Sequence, residues 1–163
     1  MSRRDFFDDT VERLRPRLPA DLVGFRSKAN PILLKLDFGN ERVHYEVAPD
    51  GARGHIEVGL HFEDGPVSTA AYLAWFDRHI VELKHGLGAE VELERWTGSW
   101  GRLYELHPLG RLDAAEAERI ATRLAAFIVA LQPLVEAAAV APERSATATE
   151  QRGTWRAWRR GRG

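Results

Sequence analysis

Histidine and glutamate alternate with apolar residues in one short stretch of this chain, residues 53–63. Successive side chains of a β-strand point to opposite faces, so the alternation predicts a half-buried strand. Its polar face would carry His55, Glu57, His61 and Glu63. Imidazole nitrogens and carboxylate oxygens bind zinc, manganese or iron. The same groups also form ordinary ion pairs on a solvated sheet face, so both interpretations stay open.

A second histidine–glutamate pair lies in the preceding predicted strand, residues 41–48. A turn over residues 49–52, rich in Pro, Asp and Gly, is predicted to join the two strands. In the resulting register His44 lies opposite Glu57, and Glu46 lies opposite His55. The patch holds four potential metal ligands, namely His44, Glu46, His55 and Glu57. It predicts either the metal site of a hydrolase or a set of cross-strand ion pairs.

Three further polar residues border this predicted patch. Lys35 is expected beside His44, where its ammonium group opposes a bound cation. His61 and Glu63 lie beyond the paired part of the hairpin, so no cross-strand partner is expected for them. These two residues are therefore predicted either to contact a binding partner or simply to end the strand.

Two tryptophans flank the turn predicted at Gly98-Ser99. Trp96 and Trp100 would either form an exposed aromatic surface for a partner or pack against a helix. The predicted register of this hairpin pairs Leu93 with Tyr104. Its polar side would then carry four residues that we expect to be solvated: Glu92, Glu94, Glu105 and His107.

The end of the chain, residues 141–163, carries six arginines and two glutamates. Its composition predicts a largely disordered tail with a positive charge. Arginine neutralises phosphate and tryptophan stacks on bases, so nucleic acid is a predicted partner of this tail. The residues that would bind it are Arg152, Trp155, Arg156, Trp158, Arg159, Arg160 and Arg162.

The composition excludes several classes of protein. With 44% apolar and 29% charged residues the chain resembles an ordinary globular protein. It has no cysteine, which excludes disulfides, thiolate zinc sites and cysteine nucleophiles. It has no glycine-rich nucleotide-binding motif and no serine nucleophile elbow, so no cofactor and no catalytic residue are predicted. Without a secretory signal or an apolar run of about 20 residues, a cytoplasmic protein with no membrane span is expected.

Hydrophobic periodicity predicts the element order α-βββ-α-ββ-α. The predicted helices cover residues 3–15, 67–85 and a segment from Asp113 to Pro133. The predicted strands cover residues 31–38, 41–48, 53–63, 90–97 and 100–107. A two-residue turn at Gly39-Asn40 would pair Leu36 with Val43. We expect an α+β domain over residues 1–140, in which helices pack on one face of an antiparallel five-stranded sheet.

This order of elements resembles the Tir-chaperone-like fold of type III secretion chaperones. The resemblance covers residues 3–135 and includes no family motif, so it implies no site residue. It implies a non-enzymatic, often dimeric module that binds a polypeptide. A protein-binding module, with a homodimer as one expected state, is therefore the first functional prediction. A nucleic-acid-associated protein and a metal-dependent hydrolase are the alternatives.

Overall fold

The computed structural model describes residues 1–159, with side chains as far as Ala138; residues 160–163 lie outside it. Four helices occupy Arg3–Leu14 (α1), Gly65–Asp77 (α2), Ile80–Leu87 (α3) and Ala114–Arg159 (α4). The strands are Arg26–Ala29 (β1), Leu34–Asp37 (β2), Val43–Asp50 (β3), His55–Phe62 (β4), Glu92–Arg95 (β5) and Gly101–Pro108 (β6). Two short 3₁₀ turns, Arg15–Arg17 and Ala20–Leu22, connect α1 to β1.

The strands form one antiparallel sheet in the order β1-β2-β3-β4-β6-β5. The predicted α+β class and the antiparallel sheet are confirmed, whereas the prediction of five strands is wrong. The sixth strand is β1, which lies at an edge of the sheet and has the sequence Arg-Ser-Lys-Ala. It lacks the apolar alternation by which strands are recognised, because an edge strand buries little. An ion pair of 2.6 Å between Arg26 and Asp37 joins it to β2.

The helix predicted over residues 67–85 is instead two helices. α2 ends at Asp77 and α3 begins at Ile80, with His79 at the break. The apolar spacing of Phe76, Ile80 and Leu83 continues across this break, which explains why periodicity alone did not reveal it.

The core lies between one face of the sheet and the helices. Side chains of α1 and α4 join those of the central strands in one buried cluster, which includes Phe6, Phe7, Tyr45, Val58, Leu60, Leu103, Ile120, Leu124, Phe127 and Ile128. Pro133 was expected to kink or end the last helix, but α4 continues past it. Pro133 is exposed, so the carbonyl group that it leaves without a helical hydrogen bond can face water.

Within the described residues, the segment Ala114–Ala138 of α4 has the length and apolar composition needed to cross a bilayer. A buried core helix meets the same criteria, and 44% of its most apolar window is buried within the domain. Residues Ala117, Ile120, Leu124, Ile128 and Leu131 of this helix are fully buried. The expectation that the chain has no membrane span remains a prediction.

The registers of the first two hairpins differ from those predicted. Leu36 pairs with Tyr45 and not with Val43, because the connection takes more than two residues. His44 pairs with His61 and Glu46 pairs with Gly59, so the predicted cross-strand pairs of these two residues are wrong. β3 continues through its Pro-Asp end, so the turn that follows it begins later than predicted. Each pairing is shifted by an even number of residues, and an even shift leaves every side chain on its predicted face of the sheet. The predicted core face is therefore correct.

The third hairpin differs by a single residue. Leu93 pairs with Leu103, not with Tyr104 as predicted. A one-residue shift exchanges the two faces of a strand. Glu105 and His107 therefore lie on the helix-covered face, while Arg102 and Tyr104 lie on the open face, in line with His61 and Gly59 of β4.

Candidate metal centre

The face of the sheet opposite the helices carries the polar residues that the alternation singled out. Four of these residues are not solvated: His44 and His61 are only 1% and 2% exposed, and Glu46 and Glu57 are also buried. Burial strengthens every electrostatic interaction within the group, since water no longer screens it.

His61 is held by a chain of charged hydrogen bonds. Its Nε2 donates to Glu57 Oε1 at 2.8 Å, and Arg102 donates to Glu57 Oε2 at 2.6 Å. Arg102 also donates twice to Glu94, at 3.0 and 2.8 Å. A histidine that donates one ring N–H to a carboxylate presents the lone pair of its other nitrogen. Because a carboxylate only accepts hydrogen bonds, Nε2 carries the proton in this contact, and Nδ1 is the nitrogen of His61 that could bind a metal ion.

Gly59 makes room for the Glu57–His61 hydrogen bond. The two residues lie four positions apart on one strand, so their Cα atoms are separated by roughly 13 Å. Their side chains meet above Gly59, which has no side chain of its own. A Cβ atom at this position would lie 2.8 Å from Cβ of Tyr104 and 3.0 Å from the carbonyl oxygen of Leu103. Glycine is therefore required for the close approach of β6.

His44 is oriented in the same way as His61. Its Nδ1 donates to the backbone oxygen of Glu41 at 2.9 Å, which leaves Nε2 as the free nitrogen. This Nε2 lies 3.4 Å from Oε2 of Glu46, a long distance for a hydrogen bond. Two ligands of one tetrahedral zinc ion, each at about 2.0–2.1 Å, are separated by roughly 3.4 Å. The spacing suits a shared ion at least as well as a direct contact.

Four potential ligands converge on one point of the open face. One ligand atom from each of His44, Glu46, His61 and Glu63 lies within 4.8 Å of the other three. The imidazole rings of the two histidines are stacked, with centroids 5.7 Å apart. Glu63 directly follows β4, and it is the only one of the four that is half-buried rather than buried.

This set shares two residues with the predicted patch. His44 and Glu46 are common to both, but His55 lies opposite Asp50 at the far end of the hairpin. Along the strand His55 is roughly 20 Å from His61. Glu57 orients His61 instead of joining the four converging groups. His61 and Glu63, which the sequence left without partners, complete the set.

The charges around the cluster favour ionised carboxylates. Burial alone would raise the pKa of Glu46. When both histidines are protonated, as they can be without a metal ion, the hydrogen bond from His44 and the nearby charges of His61, His44 and Lys35 outweigh this effect. The pKa of Glu46 is therefore lowered, and the group is a carboxylate at neutral pH. Lys35 Nζ lies 3.4 Å from Oε2 of Glu63 and 4.0 Å from Oε2 of Glu46.

The tryptophans at the turn between β5 and β6 lie beside the cluster. The rings of Trp96 and His61 meet edge-on, with their centroids 6.2 Å apart. The guanidinium carbon of Arg102 lies 4.8 Å from the centroid of the Trp96 ring. Trp96 and Trp100 contact each other at 5.9 Å and are 48% and 42% exposed. Trp96 thus covers the site with one part of its surface and meets solvent with the other.

The acidic residues of the β5–β6 hairpin occupy two separate faces. Glu92 and Glu94 lie on the open side, as their pairing with Tyr104 and Arg102 shows. Glu105 is buried on the helix side, where Arg123 of α4 binds both its oxygens. The expectation of one solvated polar side for this hairpin is therefore wrong.

Sequence reasoning did not find the supporting residues Arg102 and Gly59. The glycine inside an otherwise regular strand was the available signal, because such glycines mark a close backbone approach. The tail residues predicted to bind nucleic acid lie outside the described side chains.

No family model matches this chain, and comparison with curated proteins and with solved structures finds no similar protein. The resemblance to Tir-chaperone-like proteins therefore stays a prediction, and the function has to be inferred from the site itself.

Proposed function

We propose that this protein binds a divalent transition-metal ion, with zinc as the first choice, through His44, Glu46, His61 and Glu63. The observation that carries the proposal is the convergence of four ligand atoms within 4.8 Å. Both histidines in the set are already oriented by a second hydrogen bond, which is a regular feature of metal-binding histidines. Nitrogen and carboxylate ligands suit zinc, manganese and iron.

The number of ligands favours metal binding over hydrolysis. Catalytic zinc sites have three protein ligands and keep a fourth position for water, whereas structural sites use four protein ligands. Here the protein offers four ligands, so a tetrahedral zinc ion would have no position left for a nucleophilic water. We therefore propose binding of the ion as the function, with the hydrolase as the less supported alternative.

Thermal unfolding with and without metal tests the proposal. Protein freed of metal with EDTA is titrated with Zn²⁺, Mn²⁺ and Fe²⁺, and we expect saturating zinc to raise the melting temperature by about 5–10 °C. Isothermal titration calorimetry measures the stoichiometry, which should be one ion per chain.

His55→Ala is the matched control for His61→Ala. Both histidines lie on the same strand and the same face, but only His61 belongs to the converging set. We expect His55→Ala to respond to zinc as the native protein does, and His61→Ala and His44→Ala to lose the response while their circular dichroism stays native. Equal zinc binding by all three variants would disprove the proposed site.

We also propose that the exposed parts of Trp96 and Trp100 bind a second copy of the chain, in keeping with the dimers that the chaperone resemblance implies. Two adjacent tryptophans that are nearly half exposed leave apolar area that association would bury. Analytical ultracentrifugation of the native protein and of Trp100→Ser tests this. We expect a dimer that the substitution dissociates; a native protein that is monomeric at all concentrations excludes it.

A further inference from the structure

Lys35 places a positive charge at the proposed metal centre from outside the set of four ligands. It belongs to β2, where it is paired with Glu46 of β3. Its ammonium nitrogen lies 3.4 Å from Oε2 of Glu63 and 4.0 Å from Oε2 of Glu46. The lysine therefore bridges the two carboxylates that the proposed site contributes.

The surroundings of Lys35 direct its ammonium group toward these carboxylates. On its other side Lys35 is paired with Lys28 of the edge strand β1. Two like charges directly opposite each other in a sheet repel, so the side chain is driven toward β3 and β4. Among the residues whose side chains are described, Lys35 is the ion-pair partner that Glu46 and Glu63 have in common.

An ammonium group and a metal ion cannot both occupy this position. A ligated ion needs a carboxylate oxygen of Glu46 or Glu63 at about 2.0–2.2 Å, and its +2 charge would repel an ammonium group that still contacted the same carboxylates. Lys35 is half-buried and has a flexible four-carbon stem, so it can turn outward to solvent. The two cations thus exclude each other.

We propose that Lys35 competes with the metal ion for the two carboxylates; this inference rests on the proposed metal function. The ammonium group pairs with Glu46 and Glu63 while no metal ion is bound, and it moves away when an ion binds. The lysine neutralises the two carboxylates when no metal ion is bound, so the metal-free protein stays folded. It also weakens binding, because each ion must displace it. The site is therefore one that exchanges its ion instead of holding it permanently.

Lys35→Gln tests this role, with Lys28→Gln as the matched control on the neighbouring strand. For each variant and for the native protein we would measure zinc affinity by competition with a chromogenic chelator, and the melting temperature in EDTA. Removing the competing charge should raise the zinc affinity of Lys35→Gln by about tenfold. The same substitution should lower the melting temperature of the metal-free protein, whereas Lys28→Gln should change neither quantity appreciably.

The two measurements separate this inference from the proposed function. Zinc binding by the native protein with an unchanged affinity in Lys35→Gln overturns the competitor role and leaves the metal site intact. Loss of metal-free stability in Lys35→Gln, with no zinc binding by any variant, overturns the metal site and the competition together and leaves Lys35 as a structural counter-ion.

Discussion

Glu57 has a different role from the four residues that converge beside it. Its carboxylate is not one of the four converging groups. It accepts a hydrogen bond from His61 and another from Arg102, which fixes its position. Carboxylates in this position orient a metal-binding imidazole and make it a stronger ligand. The metal centre therefore depends on a residue that would not touch the ion.

Glu57→Gln should weaken zinc binding without removing a ligand. The amide oxygen can still accept from His61 but carries no negative charge, so we expect the zinc affinity to fall about tenfold. Competition with a chelator measures the affinity. Glu94→Gln is the control, since Glu94 contacts Arg102 and not His61. An unchanged affinity in Glu57→Gln would remove this residue from the site.

Gly59 offers a second test at the level of one residue. A methyl group there would collide with backbone and Cβ atoms of β6, which cannot turn aside as a long side chain can. We expect Gly59→Ala to lower the free energy of unfolding by about 1–3 kcal/mol. Gly86→Ala is the control: Gly86 lies in α3 with open space around it, so alanine should stabilise the protein by roughly 0.5–1 kcal/mol. Urea unfolding measures the free energy of unfolding of both variants. Equal changes in Gly59→Ala and Gly86→Ala would contradict the close approach at β6.

At the scale of the elements, Glu105 and Arg123 join the sheet to the last helix. Arg123 binds the Glu105 carboxylate and also donates to the carbonyl oxygen of Leu87 at the end of α3. Burial alone would raise the pKa of Glu105, but hydrogen bonds from His107 and Arg123 outweigh it, and the pKa is lowered. A single ion pair thus fixes β6, α3 and α4 relative to one another.

This pair makes stability depend on pH in a defined direction. A carboxyl group whose pKa is lower in the folded state than the ordinary value near 4.5 stabilises the fold above that value. The stabilisation is lost as the pH falls through the folded-state pKa. We expect the free energy of unfolding of Glu105→Gln to be about 2–4 kcal/mol lower than that of the native protein at pH 7. This difference should shrink below pH 4. Denaturation at several pH values measures it; a difference independent of pH would contradict the ionised pair.

The element scale also shows how far the sequence predicts this fold. An alternating pattern identifies the buried face of Val43, Tyr45 and Val47 correctly, but it is equally compatible with every even shift of the neighbouring strand. The predicted partners of His44 and Glu46 were therefore wrong although their face was right. Their true partners depend on the length of β3, which includes a proline that sequence rules assign to a turn.

The β5–β6 hairpin was less predictable for another physical reason. Trp96 and Thr97 both donate backbone hydrogen bonds to the carbonyl oxygen of Trp100. The turn therefore contains one residue more than the predicted two-residue turn at Gly98-Ser99. Local sequence does not reveal this additional residue, which exchanged the faces of β6. The site could be predicted as a group of histidines and glutamates that includes His44 and Glu46, but its other two members could not be identified from the pattern.

At the scale of the whole molecule, charge is distributed unevenly along the chain. Residues 141–163 have six arginines against two glutamates, whereas the rest of the chain carries a net negative charge. An acidic body repels polyanions, so any attraction to nucleic acid must come from the tail.

Deleting residues 150–163 tests the nucleic-acid alternative. If the tail binds phosphate, the native protein is retained on heparin in a salt-dependent manner and the shortened protein is not. Zinc binding should be the same in both, because the proposed site lies wholly in the sheet. Equal retention of the two proteins would exclude the tail as a nucleic-acid-binding segment.

All four proposed ligands belong to one β-hairpin, between His44 and Glu63. During synthesis this hairpin leaves the ribosome before β6, which supplies Arg102, and before α4, which covers the apolar face. An ion bound by the emerging hairpin would join His44 to His61 and so select one register before any core exists to select it. The metal would then act as a template for strand pairing in the nascent chain.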